Sequence, residues 1–515
     1  MKTNRTFKKI ASATTAAILA TCAMAPISIT NVSAASIEIT NSQAGHTYEA
    51  YQIFKGNLSG TKLSNIQWGD NVDTTGDLMT QIKALSTDFS SCSNAADVAD
   101  ALSKSANDSD IAKKFAIIIG SHLKGNAAGT STATQSPYSV SVAENGYYLV
   151  KDKDNSINGQ EDKTYTEYIV QVLGDKTDIE AKSALPTFEK KVNDINDTKG
   201  ASSAENLQDY ADHDKGDAVT FTLKGTLPDN YDAYTAYKYV MHDTLSAGLS
   251  FNENSVEVKV GDTTLTKGTD YTVNTSTSDN HTFDIEFPNL KNIAAITSSS
   301  EIVVTYTATL NDSADIGTPG NPNEAYLEYS NNPYDSTDTA NSPKDEVIVY
   351  TYDVIIDKVD GDLQPLANAG FTLYKHNGSD WVEVKKIAAS AATQFTFSGI
   401  DDGKYKLEET ETPSGFNTIK PIYFEVTANH TSGLTELKVQ EQDDSGNAIS
   451  SGGYTFTATA SSGEIKTTVQ NKSGSSLPST GGIGTTPFYI GGGVLVAAAG
   501  VYIIVKKRMK NNENK

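Results

Sequence analysis

The stretch Asp353-Val354-Ile355-Ile356-Asp357-Lys358-Val359-Asp360 decides how this chain folds. Side chains along a strand alternate between two faces, so Val354, Ile356 and Lys358 fall on one side. The apolar pair makes that side the inner one. Lys358 is thereby directed into a core, where an ammonium is costly and needs a partner. The same figure occurs earlier, in Thr187-Phe188-Glu189-Lys190-Lys191-Val192, where Phe188, Lys190 and Val192 share a face. The plain alternative for either lysine is that its stem packs inside while the head reaches water.

Working outward, short Thr/Val/Tyr-rich alternating runs recur, such as Val256-Glu257-Val258-Lys259-Val260 and Ile302-Val303-Val304-Thr305-Tyr306. Tyrosine is abundant (25) against two tryptophans. Runs of this kind separated by turn residues predict a mostly β chain of tandem Ig-like sandwiches. Residues 36–40 and 48–54 are strand-like, and strands return at 138–142, 147–150 and 165–173. Between them, Leu78, Ile82 and Leu85, then Val98 and Leu102, then Ile111, Phe115, Ile118 and Ile119 follow helical spacing. The first sandwich is therefore expected to carry a helical insertion.

Both ends read as targeting segments. Lys2, Arg5, Lys8 and Lys9 precede an apolar stretch, and Val32-Ser33-Ala34 follows it. This predicts a secretory signal peptide cut after Ala34 or Ala35. At the other end, Leu477-Pro478-Ser479-Thr480-Gly481 precedes the uncharged run FYIGGGVLVAAAGVYIIV (488–505) and the basic tail Lys506-Lys507-Arg508-Met509-Lys510. A helix over that run would be about 27 Å long, enough to cross a bilayer core, with the basic cluster held in the cytoplasm.

The formal net charge is −23, and the signal peptide and the tail are the basic parts, so the exported segment is more acidic still. Such a surface repels nucleic acid and anionic lipid. Of two cysteines, Cys22 leaves with the signal peptide and Cys92 remains, so no disulfide can form within the exported chain. The loop Asp152-Lys153-Asp154-Asn155-Ser156 starts like a calcium loop, but it lacks the turn glycine and has Lys163 where the bidentate acid belongs, so it reads as an acidic hairpin loop. Neither metal-ligand histidine spacing nor a Gly-x-Ser-x-Gly elbow is present, and no cofactor or turnover chemistry is expected.

Several motifs carry a resemblance. The Lys358-Val359-Asp360 start, Leu407-Glu408-Glu409-Thr410 followed by Pro413-Ser414-Gly415-Phe416, and the terminal Val469-Gln470-Asn471 resemble the Cna-B/SpaA-type domain of Gram-positive pilins. The stretch Met241-His242-Asp243-Thr244-Leu245, with Gly320-Asn321-Pro322-Asn323 and Tyr329-Ser330-Asn331-Asn332-Pro333, is similar to the isopeptide-forming second domain of backbone pilins. Ala44-Gly45-His46-Thr47-Tyr48 and Gly146-Tyr147-Tyr148-Leu149-Val150 resemble their N-terminal domain, and the LPSTG end resembles a cell-wall sorting signal.

The resemblance divides the chain into a signal peptide (1–34), an N-terminal pilin domain (35–177), an isopeptide-forming middle domain (178–346), a Cna-B/SpaA-type domain (347–473) and a sorting signal (474–515). It implies Cna-type sandwiches and an autocatalytic Lys–Asn isopeptide bond in each of the last two. The sets carried over are Lys190, Asp243 and Asn323, with Asn331 and Asn332 as alternatives to the last, and Lys358, Glu408 and Asn471. A buried lysine loses its proton more readily and a buried acid keeps its own, which is what amide formation from a side-chain amine needs.

It further implies that a sortase cuts between Thr480 and Gly481 and joins Thr480 to a lysine of the next subunit. Lys182 is the candidate nucleophile, with Lys176 and Lys191 as alternatives, because the family's Tyr-Pro before the lysine is missing. The implied partners are a class C (pilin) sortase, a housekeeping sortase, identical subunits, minor pilins, peptidoglycan and a host receptor. The implied function is the backbone subunit of a wall-anchored pilus with a role in adhesion. A monomeric anchored adhesin or a minor pilin would share everything but the linkage lysine.

Overall fold

The computed structural model describes residues 35–474, apart from 42–43, 60–61, 107–108, 158–162, 174–175, 181–184, 200–205, 278–279, 336 and 452, together with 499, 501–503 and 506. The segment expected to be a signal peptide, Lys182, Leu477, Pro478, Ser479, Thr480 and Gly481 lie outside the described residues. No helix among the described residues is long and apolar enough to cross a membrane.

The chain is mostly β, laid out as successive two-sheet sandwiches. In the first, Ala35–Thr40 pairs antiparallel with Tyr138–Val142 and parallel with Lys176–Glu180. The facing sheet runs Lys62–Trp68, Tyr48–Ser59, Gly146–Asp152, Glu167–Val172. Ile37, Ile39, Tyr48, Tyr138, Val140 and Val150 fill the space between them. The expected helical insertion is present as Leu78–Ala84, Ala95–Leu102 and Asp110–Gly120. Asn94 and Ser109 cap the second and third of these by accepting from the amides of Asp97 and Ala112. Val98, Phe115 and Ile119 bury the helices against Ile53, Phe54 and Leu149 of the sheet.

The middle sandwich sets Phe188–Asn193, Ala218–Thr226, Glu301–Leu310 and Leu249–Val260 against Asp345–Tyr350, Asn321–Ser330, Tyr239–Leu245 and Phe283–Phe287. Its core takes in Val192, Phe221, Leu223, Met241, Phe283 and Tyr306. The last sandwich opposes Gln394–Ile400, Tyr352–Val359, Glu464–Gln470 and Phe456–Thr459 to a five-stranded sheet. That sheet runs Trp381–Ile387, Gly370–His376, Gly403–Glu411, Ile422–Asn429, Glu436–Gln442. Tyr352–Val359 and Glu464–Gln470 run parallel, which sets Lys358 opposite Val469 and brings Asn471 to the end of the same seam.

The loop at 152–156 does not point a ligand cage at solvent. Asp152 ends its strand fully buried, accepts from the Thr166 amide and hydroxyl at 2.9 Å, and contacts His46 Nδ1 at 2.8 Å. Lys151 closes the turn on Asp154.

Candidate isopeptide sites and the family of the chain

In the last sandwich the alternation read from the sequence holds, and Lys358 is 1% exposed on the face it shares with buried Val354 and Ile356. Its Nζ donates to Asn471 Oδ1 at 2.7 Å and to the Val469 carbonyl at 3.2 Å. Asn471 in turn donates from Nδ2 to Glu409 Oε1 at 2.7 Å. Glu409 Oε1 stands 3.9 Å from Lys358 Nζ, and its Oε2 accepts from the Ile419 amide at 3.1 Å. Burial pulls the Lys358 ammonium down to about 8, with Glu409 opposing the shift.

Glu408 is not in this cluster. It lies on the outer face of Gly403–Glu411, half-buried, with Lys406 Nζ 2.8 Å from its Oε1. The physical reason is the two-residue period: Tyr405 and Leu407 point inward, so the next inward position is 409. The alternation was therefore available to place the acid. A motif that offers two adjacent glutamates does not distinguish them, because neighbouring residues face opposite ways.

The middle sandwich brings Lys190, Asp243 and Asn323 together, and adds a fourth residue. All three are buried, on Phe188–Asn193, Tyr239–Leu245 and Asn321–Ser330. Lys190 Nζ lies 2.6 Å from Asp243 Oδ2 and donates to the Tyr306 hydroxyl at 2.9 Å. Tyr306 donates to Asp243 Oδ2 at 2.7 Å and accepts from Asn323 Nδ2 at 2.8 Å. Lys190 and Asn323 thus meet through one phenol. The walls are aromatic: Nζ sits 5.6 Å from the Phe221 ring centre, and Phe283 packs edge-on to Tyr306 at 5.0 Å.

Burial lowers the Lys190 ammonium and raises the Asp243 carboxyl, each against the attraction of the other, so both are pushed towards their neutral forms. Asp243 Oδ1 and Asn323 Oδ1 have no hydrogen-bond partner, two acceptors held ready inside an apolar box. Of the alternatives, Asn332 donates to Asp338 at 2.9 Å, and Asn331 is buried with neither amide atom hydrogen-bonded. Tyr306 escaped the sequence reading because a tyrosine on an inward face looks like ordinary core. Its hydroxyl is what distinguishes it from a phenylalanine there.

Among the alternatives to Lys182, Lys176 is exposed and 2.7 Å from Asp178. Lys191 is held by Asp209 at 2.6 Å and Glu189 at 3.1 Å.

Comparison with known proteins agrees with this architecture. Residues 215–333 match the model of the Gram-positive pilin backbone subunit 2, Cna-B-like domain. Residues 352–443 match that of a prealbumin-like fold domain, and 469–513 that of the LPXTG cell wall anchor motif. The trypsin-resistant surface T6 protein of Streptococcus pyogenes serotype M6 is 27% identical over 582 residues, covering 96% of this chain and 99% of that protein. The solved three-domain T6 backbone pilin of serotype M6 Streptococcus pyogenes superimposes with a TM-score of 0.52 at 19% identity, over 87% of this chain and all of that one. Together these matches support a sortase-polymerised, wall-anchored structural subunit of a Gram-positive surface pilus, similar to the backbone pilins.

Proposed function

We propose that this subunit locks each of its last two sandwiches with one intramolecular isopeptide bond, Lys190 to Asn323 and Lys358 to Asn471. The observation that carries the reading is the chain of contacts in the last sandwich, amine to amide oxygen at 2.7 Å and amide nitrogen to carboxyl at 2.7 Å. Neutral Lys358 Nζ attacks Asn471 Cγ, the Cγ–Nδ2 bond breaks, and the nitrogen leaves as ammonia. Glu409 touches the leaving nitrogen, so it is placed to give it a proton and to take back the one that Nζ releases. The fixed geometry supplies the effective concentration that makes an amide a usable electrophile. In the middle sandwich Asp243 takes the acid's role and Tyr306 relays between it, Lys190 and Asn323.

The two reactions occur once each per chain. In the last sandwich the bond joins the first strand to the end of the last and carries tension past the rest of it, and in the middle one it ties the first strand to Asn321–Ser330; both suit a subunit of a pulled fibre that has no internal disulfide. In polymerisation, a class C pilin sortase would form a thioester at Thr480, releasing Gly481 with the tail. The amine of Lys182 on the next subunit would then displace the sortase thiol. A housekeeping sortase would transfer the finished fibre to peptidoglycan, and minor pilins and a host receptor would meet it at the surface.

Intact mass of the exported chain tests the internal bonds. It should fall short of the sequence mass by two ammonias. A mass equal to the sequence, with the chain folded, would sink the reading.

A further inference from the structure

Where the middle and last sandwiches meet, the chain buries far more acid than base. One part is compensated internally: Lys375 Nζ reaches Asp197 at 2.9 Å, Asp214 at 2.8 Å and Asp401 at 2.5 Å. Beside it lies a second group in which no lysine stands and the basic member is a histidine. Asp194 and Asp212 come from the middle sandwich and His430 from the last, with one ligand atom of each lying within 4.8 Å of the other two. Asp402, also from the last sandwich, is held by Asn196 Nδ2 at 2.7 Å, and the charges of Asp212 and Asp194 act on it.

Two observations point to a missing cation. Asp212 is 1% exposed and its Oδ2 has no hydrogen-bond partner. A carboxylate so buried is normally paired, protonated or bound to a metal. His430 Nε2 stands 3.6 Å from Asp212 Oδ1 and 3.9 Å from Asp194 Oδ1. Both separations are too long for hydrogen bonds. They are close to the ligand–ligand spacing around a metal bound at about 2.1 Å from each atom, roughly 3.4 Å across a tetrahedral edge.

We infer that Asp194, Asp212 and His430 form a divalent-cation site that bridges the middle and last sandwiches. An imidazole among carboxylates favours a first-row transition ion such as Mn2+ or Zn2+ over Ca2+, which prefers all-oxygen shells. The cation would tie together two units that the proposed isopeptide bonds leave unlinked, since each of those closes within one sandwich. The group His242, His281 and Asp284 is less suited, because its ring nitrogens already meet Asp284, Glu328 and Tyr326.

The test is titration of untagged exported chain, stripped with chelator, with Mn2+, Zn2+ and Ca2+ by calorimetry, and with Mn2+ by electron paramagnetic resonance. The expected result is a site for Mn2+ or Zn2+ at least tenfold tighter than for Ca2+, and a melting transition that rises with the metal. Asp212→Asn and His430→Gln should each weaken that site at least tenfold. Asp194→Asn serves if either of them folds poorly. No binding by the wild type, or binding unchanged in the folded variants, overturns the inference; the latter would place the ion elsewhere, at the His242 group for instance.

Discussion

Replacing Glu409 by alanine removes the one carboxyl that touches the Asn471 amide nitrogen, at 2.7 Å. Without it the departing nitrogen has no proton donor, and Lys358 and Asn471 remain separate side chains. The bond they would otherwise make spans 113 positions in the sequence. Closing a loop of that length lowers the entropy of the unfolded chain by an amount worth about 5 kcal/mol. The last sandwich, at roughly 120 residues, unfolds with an entropy near 0.25 kcal/mol/K, so losing the crosslink should lower its melting by about 20 °C. Leaving Lys358 and Asn471 buried and poorly paired would cost about 1–3 kcal/mol more. The control is Glu408→Ala, which breaks only an outer contact to Lys406 and should shift stability by less than about 1 kcal/mol. Intact mass and calorimetry read both variants. The reasoning fails if Glu409→Ala still falls two ammonias short of its own sequence mass, or if Glu408→Ala is the variant that regains an ammonia.

Tyr306→Phe keeps the ring and removes the hydroxyl that joins Lys190, Asp243 and Asn323, so the middle bond should form at least tenfold more slowly in mass time courses. An unchanged rate would make the phenol a bystander. Because the Lys358 ammonium sits at about 8, the reactive neutral amine falls from half of the molecules at pH 8 to about one in a hundred at pH 6. Chain made by cell-free translation and held at fixed pH should therefore close its last bond about fiftyfold faster at pH 8 than at pH 6, and a flat profile would argue against an amine nucleophile. In cells, Lys182→Ala should abolish the SDS-resistant ladder of high-mass species, whereas Lys176→Ala and Lys191→Ala should keep it; a ladder that survives Lys182→Ala would move the joint to another amine.

Much of the candidate chemistry was legible because it sits on strands. Period-two alternation placed Lys190 and Lys358 inside two cores, and the structure finds both there. Asp243 and Asn323 come from motifs, and both are buried, with Asp243 against Lys190 and both joined to Tyr306. The acid of the last sandwich differs by one position, because the motif offers adjacent glutamates and Glu409 is the one that shares a face with Leu407. Tyr306 was invisible for a different reason: its ring satisfies every requirement of a core residue, and only its three polar neighbours reveal the hydroxyl as part of a site. Strand Lys176–Glu180 also runs past the expected boundary at 177, pairing back onto Ala35–Thr40, and Asp345–Tyr350 runs past the one at 346.

By itself the sequence determined the class of the molecule: alternating strands, an interrupting helical segment, inward lysines, and a wall-anchor motif near the C-terminus. These are local properties, set by side-chain period and hydropathy within a few residues. The tertiary structure decided which polar groups share an apolar space. Glu409 rather than Glu408, the Tyr306 bridge, and the gathering of Asp194, Asp212 and His430 all depend on how sheets face and how sandwiches abut. Contacts between residues that distant in sequence leave no periodic trace, because each strand satisfies its own alternation whatever stands opposite.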